Sequence, residues 1–273
     1  MKVTAVLLLA LASASAGPLS SLRPVHPRDR TIEQSIESRI VGGNYAYIGQ
    51  IPYQVGITFD YGSSSGFCGG SIISNEWILT AAHCTDNADS ATIYAGSILL
   101  NTGVKRTASS QNIKQHSDYN EDSLVNDIAL IMLSQALEFG PTIGKVGLPP
   151  LTGPYDTYED QTARVSGWGL PDTNAILQTF FLKYVDVMVI SNTDCNLAYP
   201  GFIKPSHLCT ATNTGKGTCY GDSGGPLTVD NGSTEDTQIG IVSFGSYLGC
   251  TAAPSAYTRV SAYQDWIYEK SGV

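Results

Sequence analysis

Short apolar or alternating runs, separated every 8 to 15 residues by Gly, Pro, Asn or Asp, fill most of the chain; residues 51–59, 71–79, 128–133, 181–189 and 239–244 are examples. This spacing predicts an all-β domain set, because a period-2 pattern buries one face of a pleated strand and the small or polar residues between runs turn the chain. Asp230-Asn231-Gly232-Ser233 predicts a hairpin, since Asn and Gly tolerate the positive φ of a tight turn. Asn231 is also the acceptor of an Asn-Gly-Ser glycosylation sequon. Only the C-terminal end reads as helix: Ser261 and Gln264 have the spacing of a capping box, and Tyr263, Trp266, Ile267 and Lys270 follow at helical intervals. The Pro- and Gly-rich residues 147–154 divide the β region into two nearly equal halves, 40–150 and 151–273.

The first forty residues break this pattern. Lys2 precedes an apolar stretch from Val3 to Ala12, and Ala14-Ser15-Ala16 offers the small residues a signal peptidase accepts, so residues 1–16 read as a secretion signal. No later stretch approaches the roughly 20 apolar residues of a membrane-spanning helix. Residues 17–39 carry four Arg and three Pro but no Cys or aromatic residue. They make a poor core and a good removable segment. Arg39 closes the segment, and a cut after it would create a new N-terminus at Ile40.

Composition narrows the field further. Charged residues are only 14% of 273, against roughly a quarter in an average soluble protein, and Gly is abundant at 28. That excludes a disordered or coiled-coil chain. The net charge of −9, which becomes −11 once residues 1–39 are gone, argues against a protein that must neutralise nucleic-acid phosphates. Six Cys in an exported chain read as disulfides before they read as metal ligands.

Three segments carry candidate chemistry. In Thr80-Ala81-Ala82-His83-Cys84 an imidazole follows an apolar run, and a bond from Cys84 to Cys68, sixteen positions back, would fix its loop with about 3 kcal/mol of loop-closure stabilisation. In Asn126-Asp127-Ile128-Ala129-Leu130 a carboxylate opens an apolar run. Buried there it needs a partner, and an imidazole N–H is a suitable one, because the carboxylate then fixes the tautomer and stabilises the cation. In Gly221-Asp222-Ser223-Gly224-Gly225-Pro226 three Gly crowd a Ser. Acyl transfer asks for this arrangement, with an exposed hydroxyl and backbone N–H groups aimed at a developing oxyanion.

Together, Ile40-Val41-Gly42-Gly43, the TAAHC of 80–84, the DIAL of 127–130 and the GDSGGP of 221–226 resemble the chymotrypsin family of serine proteases, in family order and across all of 40–273. The resemblance implies two six-stranded antiparallel Greek-key β-barrels with the active site between them and a C-terminal α-helix. It implies Ser223 as nucleophile, His83 as general base and then acid, and Asp127 as the orienting carboxylate. It makes the N–H groups of Gly221 and Ser223 an oxyanion hole, and it implies that the freed amine of Ile40 pairs with Asp222 and so orders the loop and the specificity pocket. The bridges it implies are Cys68–Cys84, Cys195–Cys209 and Cys219–Cys250. His116 and His207 match no motif and are expected at the surface.

The same resemblance locates the pocket at Gly217, Thr218, Tyr220, Ser243, Phe244, Gly245 and Ser255. Gly217 stands where trypsins place an Asp. Without a carboxylate a substrate Lys or Arg would be buried unpaired, so the expected preference is for Phe, Tyr, Leu and Met on the amino side of the cut bond, with an elastase-like or broad collagenolytic preference as the alternative. A regulatory protease, or a binding protein descended from a protease, is a further alternative. The expected partners are protein and peptide substrates, a trypsin-like activating protease and protein protease inhibitors, with no nucleic acid, no membrane and a monomeric state. No cofactor is expected. Residues 96–113 hold no carboxylate, so no calcium or other metal site is expected in that loop either.

Overall fold

The computed structural model describes residues 43–151, 156–170 and 178–273, with the backbone of 24 and 25. The rest of the signal and activation segments, including Arg39 and Ile40, and part of the inter-domain stretch 147–154 lie outside the described residues. Within them two antiparallel sheets form, as the run spacing predicts.

The first contains β3 (Gln54–Asp60), β4 (Ser65–Ile72), β5 (Trp77–Thr80), β6 (Ser90–Ala95), β7 (Val104–Ser109), β8 (Ile113–Gln115) and β9 (Ala129–Met132), in the spatial order β7-β6-β3-β4-β5-β9-β8. In β6 every second residue is buried, and Ala91, Ile93 and Ala95 join Val55, Ile57, Phe59, Ile78 and Leu79 in one core. The period-2 pattern of the sequence is therefore the inward face of this sheet.

The second contains β10 (Thr162–Gly167), β11 (Lys183–Ile190), β12 (His207–Thr210), β13 (Pro226–Val229), β14 (Thr237–Ser246) and β15 (Ser255–Arg259). These follow one another as β14-β13-β10-β11-β12-β15, and β15 pairs back onto β14, so six strands close into a barrel. Two-residue strands are appended at its edges, β2 (Asn44–Tyr45) on β11 and β1 (Pro24–Val25) on β14. The first sheet has seven strands rather than the expected six, the extra pairing being the three-residue β8 on β9. The single run 71–79 is the end of β4, a turn through Ser74 and all but the last residue of β5, because Ser74 Oγ caps the N–H groups of Glu76 and Trp77. The turn predicted at 230–233 forms, with Gly232 at φ +75° and its N–H on Asp230 Oδ1.

Buried polar pairs join the two barrels. Ser166 Oγ of β10 donates to Gln54 Oε1 of β3 at 2.6 Å, and Ser71 Oγ of β4 donates to Gln238 Oε1 of β14 at 2.5 Å. The C-terminal helix α3 (Gln264–Ser271) leaves the second barrel yet packs Ile267 into the core of the first, next to Tyr263. Its expected capping box is not made. A 3-10 turn occupies 260–263, Tyr263 is the cap residue, and Gln264 spends its side chain on the Pro149 carbonyl at 2.6 Å.

Ser166→Ala leaves Gln54 Oε1 buried without its donor, and it is expected to lower the unfolding free energy by about 1–3 kcal/mol. Chemical denaturation of the variant checks this; an unchanged midpoint would mean that the inter-barrel pair contributes nothing.

Candidate active site

Each chemical group sits where one of the barrels ends. β5 stops at Thr80 and the single turn α1 (Ala82–Thr85) carries His83 inward, fully buried, with Cys84 bonded to Cys68 of β4 behind it. Asp127 opens the run into β9 and is also fully buried. Its Oδ1 accepts the backbone N–H of His83 at 2.8 Å. Its Oδ2 accepts His83 Nδ1–H at 2.8 Å and the Ser243 hydroxyl at 2.6 Å. A further tie comes through the backbone, where Thr258 Oγ1 of β15 donates to the Asp127 carbonyl at 2.8 Å. Donors from both barrels thus offset the desolvation of one carboxylate.

The turn bearing Asp127 is held from the second barrel as well. Leu124 and Asn126 adopt left-handed φ of +56° and +60°. The Tyr263 hydroxyl donates to Asn126 Oδ1 at 2.9 Å, and His207 Nε2 donates to the Leu124 carbonyl at 2.9 Å. His207 is therefore not a surface residue. It is buried at 1% exposure, its Nδ1 accepts the Lys204 N–H, its ring stands edge-on to Phe244, and burial depresses its pKa below the usual imidazole range. His116 is half-buried, its ring packed beside Tyr263 and Trp266.

The segment 221–226 lies between the barrels. Gly69 of β4 donates its N–H to the Ser223 carbonyl at 2.7 Å, while Gly224 N–H reaches Val242 of β14 at 2.9 Å. Gly224 has φ +75°, and a Cβ there would collide with Thr80 Oγ1, so only Gly lets the segment meet β5 this closely. Ser223 is buried at 3% exposure, and its Oγ makes no hydrogen bond among the described residues, whereas His83 Nε2 lies 3.6 Å from Cys84 Sγ. The base and its carboxylate are joined; the bond from nucleophile to base is open.

Asp222, the next residue back, is fully buried, with Oδ1 accepting the Gly169 N–H and Oδ2 the Cys219 N–H, each at 2.9 Å. Burial raises its carboxyl from 3.8 to about 7, against the pull of those two donors and of the more distant Lys183.

Thr218, Tyr220, Phe244 and Gly245, all expected in the pocket, line one narrow cleft together with Cys219 and Cys250. Beside it, a Cβ on Gly217 would meet Thr212 Cγ2 at 3.0 Å and both the Cys250 carbonyl and Ser255 Oγ at 3.2 Å. Ser243 belongs to the same strand but turns its hydroxyl to Asp127, so its side chain positions the carboxylate. The sequence reading missed Tyr257, whose buried hydroxyl bonds Thr210 Oγ1 at 3.1 Å and faces Thr218 and Ser255. Phe244 is largely covered and packs against Tyr199. Of the expected bridges, Cys68–Cys84 and Cys195–Cys209 are formed. The third is not: no bond joins Cys219 to Cys250, and Gly249 N–H donates to the Ser246 carbonyl in the adjoining turn. A larger cavity flanks α2 (Asn192–Ala198), and none of its lining residues belongs to the triad or the cleft.

Two barrels enclosing a buried Asp-His pair beside a Gly-flanked Ser define a serine protease. The family comparison agrees, since the Trypsin model matches residues 40–267, and the chain belongs to the trypsin family of serine proteases. It is 38% identical to the collagenase of Hypoderma lineatum over 100% of this chain and 99% of that one. To the chymotrypsin of Phaedon cochleariae it is 37% identical, over 88% and 84% of the two chains. A solved structure of HL collagenase superposes with a TM-score of 0.77 at 38% identity, covering 85% of this chain and 99% of that chain.

A carboxyl titrating near 7 in the folded chain against 3.8 unfolded binds a proton on folding between those values. Its favourable contribution is therefore complete below about 3.8 and is lost as pH rises through about 7. The uncut chain is expected to lose stability across that window by a component that Asp222→Asn removes. Denaturation at a series of pH values reads it, and an identical pH slope in the variant would contradict the assignment.

Proposed function

We propose that this serine protease is a secreted endopeptidase, made as a precursor, cut after Arg39 by a trypsin-like protease, and selective for large apolar or aromatic residues on the amino side of the scissile bond. In the proposed reaction Ser223 Oγ attacks the carbonyl carbon while its proton passes to His83 Nε2. Asp127 holds the His83 Nδ1–H and stabilises the imidazolium formed. The N–H groups of Gly221 and Ser223 receive the oxyanion, each such donor contributing roughly 3–4 kcal/mol in the transition state. His83 then gives its proton to the leaving amine, and water, activated by the same imidazole, releases the acyl group from Ser223.

Two features support the activation step. Among the described residues Asp222 is buried on backbone donors alone, and the Ser223 hydroxyl is not yet bonded to His83. An α-amine at Ile40 would bring a cation to that carboxylate and keep it ionised. Blocking the cut with Arg39→Gln is expected to leave the chain inactive, and full activity of the uncut variant would refute this step. In the cut enzyme a phosphonylating serine reagent is expected to label Ser223 and abolish activity; label elsewhere would remove Ser223 from the role.

The preference rests on one observation. The three atoms nearest a side chain placed on Gly217 belong to Thr212, Ser255 and a backbone carbonyl, all neutral, so a Lys or Arg side chain reaching this point would lose its hydration without gaining a counter-ion from them. Peptides with Phe, Tyr, Leu or Met are expected to be cut at least about tenfold faster in kcat/KM than their Arg counterparts. A mixed peptide library read by mass spectrometry decides it, and faster cutting after Arg reverses the assignment. A broader, collagenolytic preference is the second reading, favoured by the end-to-end likeness to the Hypoderma collagenase; solubilisation of native collagen by the cut enzyme would select it.

A further inference from the structure

The cavity beside α2, of about 660 Å³, falls within the size range of small-ligand sites. Its lining offers two kinds of surface. Ile190, Leu197, Ile203 and Pro205 supply apolar wall, and Leu197 stands 73% exposed. Lys204 and Arg259 bring two cations to this wall, against the single carboxylate of Glu159.

Arg259 is the informative member. It is buried at 6% exposure, yet among the described residues no carboxylate pairs with it. Carbonyl oxygens alone hold the guanidinium. Nε–H lies between those of Pro205 and His207 at 3.1 and 3.2 Å, Nη1 donates to those of Asp156 and Thr157 at 3.1 and 3.3 Å, and Nη2 donates to that of His207 at 3.1 Å. One Nη2–H is left without an acceptor among the described residues. Burial lowers the pKa of this side chain against the pull of Tyr158 and Asp156, as befits a cation short of a counter-ion. Lys204 makes no ion pair among the described residues either, and its Nζ donates to the Gly201 carbonyl at 2.8 Å. Asn192 adds an unmet acceptor to the same lining: its Nδ2 donates to the Lys204 and His207 carbonyls at 2.9 and 3.0 Å, while its buried Oδ1 has no donor.

We propose that this cavity is a second binding site, taking the C-terminal end of a peptide whose last residue is large and apolar. The terminal carboxylate is the counter-ion of Arg259 and Lys204, the last side chain lies on the wall around Leu197, and a peptide N–H supplies the donor that Asn192 Oδ1 lacks. A fatty carboxylate matches the wall and the cations but brings no N–H, so the peptide end is the better fit. Cleavage after Phe, Tyr, Leu or Met leaves an end of this class. The ligand is thus chemically the enzyme's own product, an identification that rests on the specificity proposed above.

The test is calorimetric titration of acetyl-Ala-Ala-Leu into the cut enzyme, with Ser223 phosphonylated so that the catalytic cleft is blocked. The acid is expected to bind at least about tenfold more tightly than its carboxamide, and more tightly than octanoate. Leu197→Asp and Lys204→Ala change exposed side chains, and each is expected to weaken binding of the acid several-fold with the unfolding midpoint unchanged. Equal binding of acid and carboxamide, an affinity unmoved in either variant, or tighter binding of octanoate overturns the proposal and leaves the protease reading intact. A cut chain that takes no phosphonyl label contradicts the protease reading instead.

Discussion

A carboxylate taken out of water at the seam of two barrels governs this structure. Asp127 has no exposed surface, and an ion so placed survives only when every lone pair is occupied. Its donors come from α1 of the first half and β14 of the second, with β15 holding its backbone carbonyl. The barrels therefore cannot separate or slide without stranding a charge. The same constraint leaves the imidazole of His83 one orientation, with Nδ1 committed to the carboxylate and Nε2 beside Cys84 Sγ.

Asp222 is the contrasting case. It is as deeply buried as Asp127, yet its partners are two backbone N–H groups, and its carboxyl drifts up to about 7. One carboxylate is saturated with side-chain and backbone donors and defines the catalytic geometry. The other, among the described residues, is held by backbone donors alone and stands next to the nucleophile. Two identical functional groups thus acquire different roles from their surroundings.

Much of this was legible in the chain. The 3.6-residue spacing of Tyr263, Trp266 and Ile267 gave the terminal helix, and the alternation in residues 181–189 gave β11, because both patterns report directly which face is buried. His83, Asp127 and Ser223 stood out in the chain because acyl transfer restricts which residue types can stand in such company, and the family resemblance supplied their expected roles. What escaped depended on contacts between segments far apart. His207 looked like a surface residue because nothing local reveals that its ring spans from Lys204 N–H to the Leu124 carbonyl. The Ser261 capping box failed because Gln264 found a partner at Pro149, 115 residues away. Ser243 was placed in the pocket by its strand, yet its side chain faces the carboxylate, a choice that one-residue alternation leaves open until both barrels are in place.

The most direct test of this account is the turnover of Asp127→Asn in the cut enzyme, measured beside its unfolding midpoint. An amide in this position presents an N–H group where Oδ2 accepted His83 Nδ1 and the Ser243 hydroxyl, so the imidazole takes the opposite tautomer and Nε2 can no longer accept the Ser223 proton. The predicted result is a folded protein whose kcat falls by on the order of a thousandfold or more. Turnover within about threefold of the parent enzyme, in a variant that remains folded, would show that the buried carboxylate is not what organises the site.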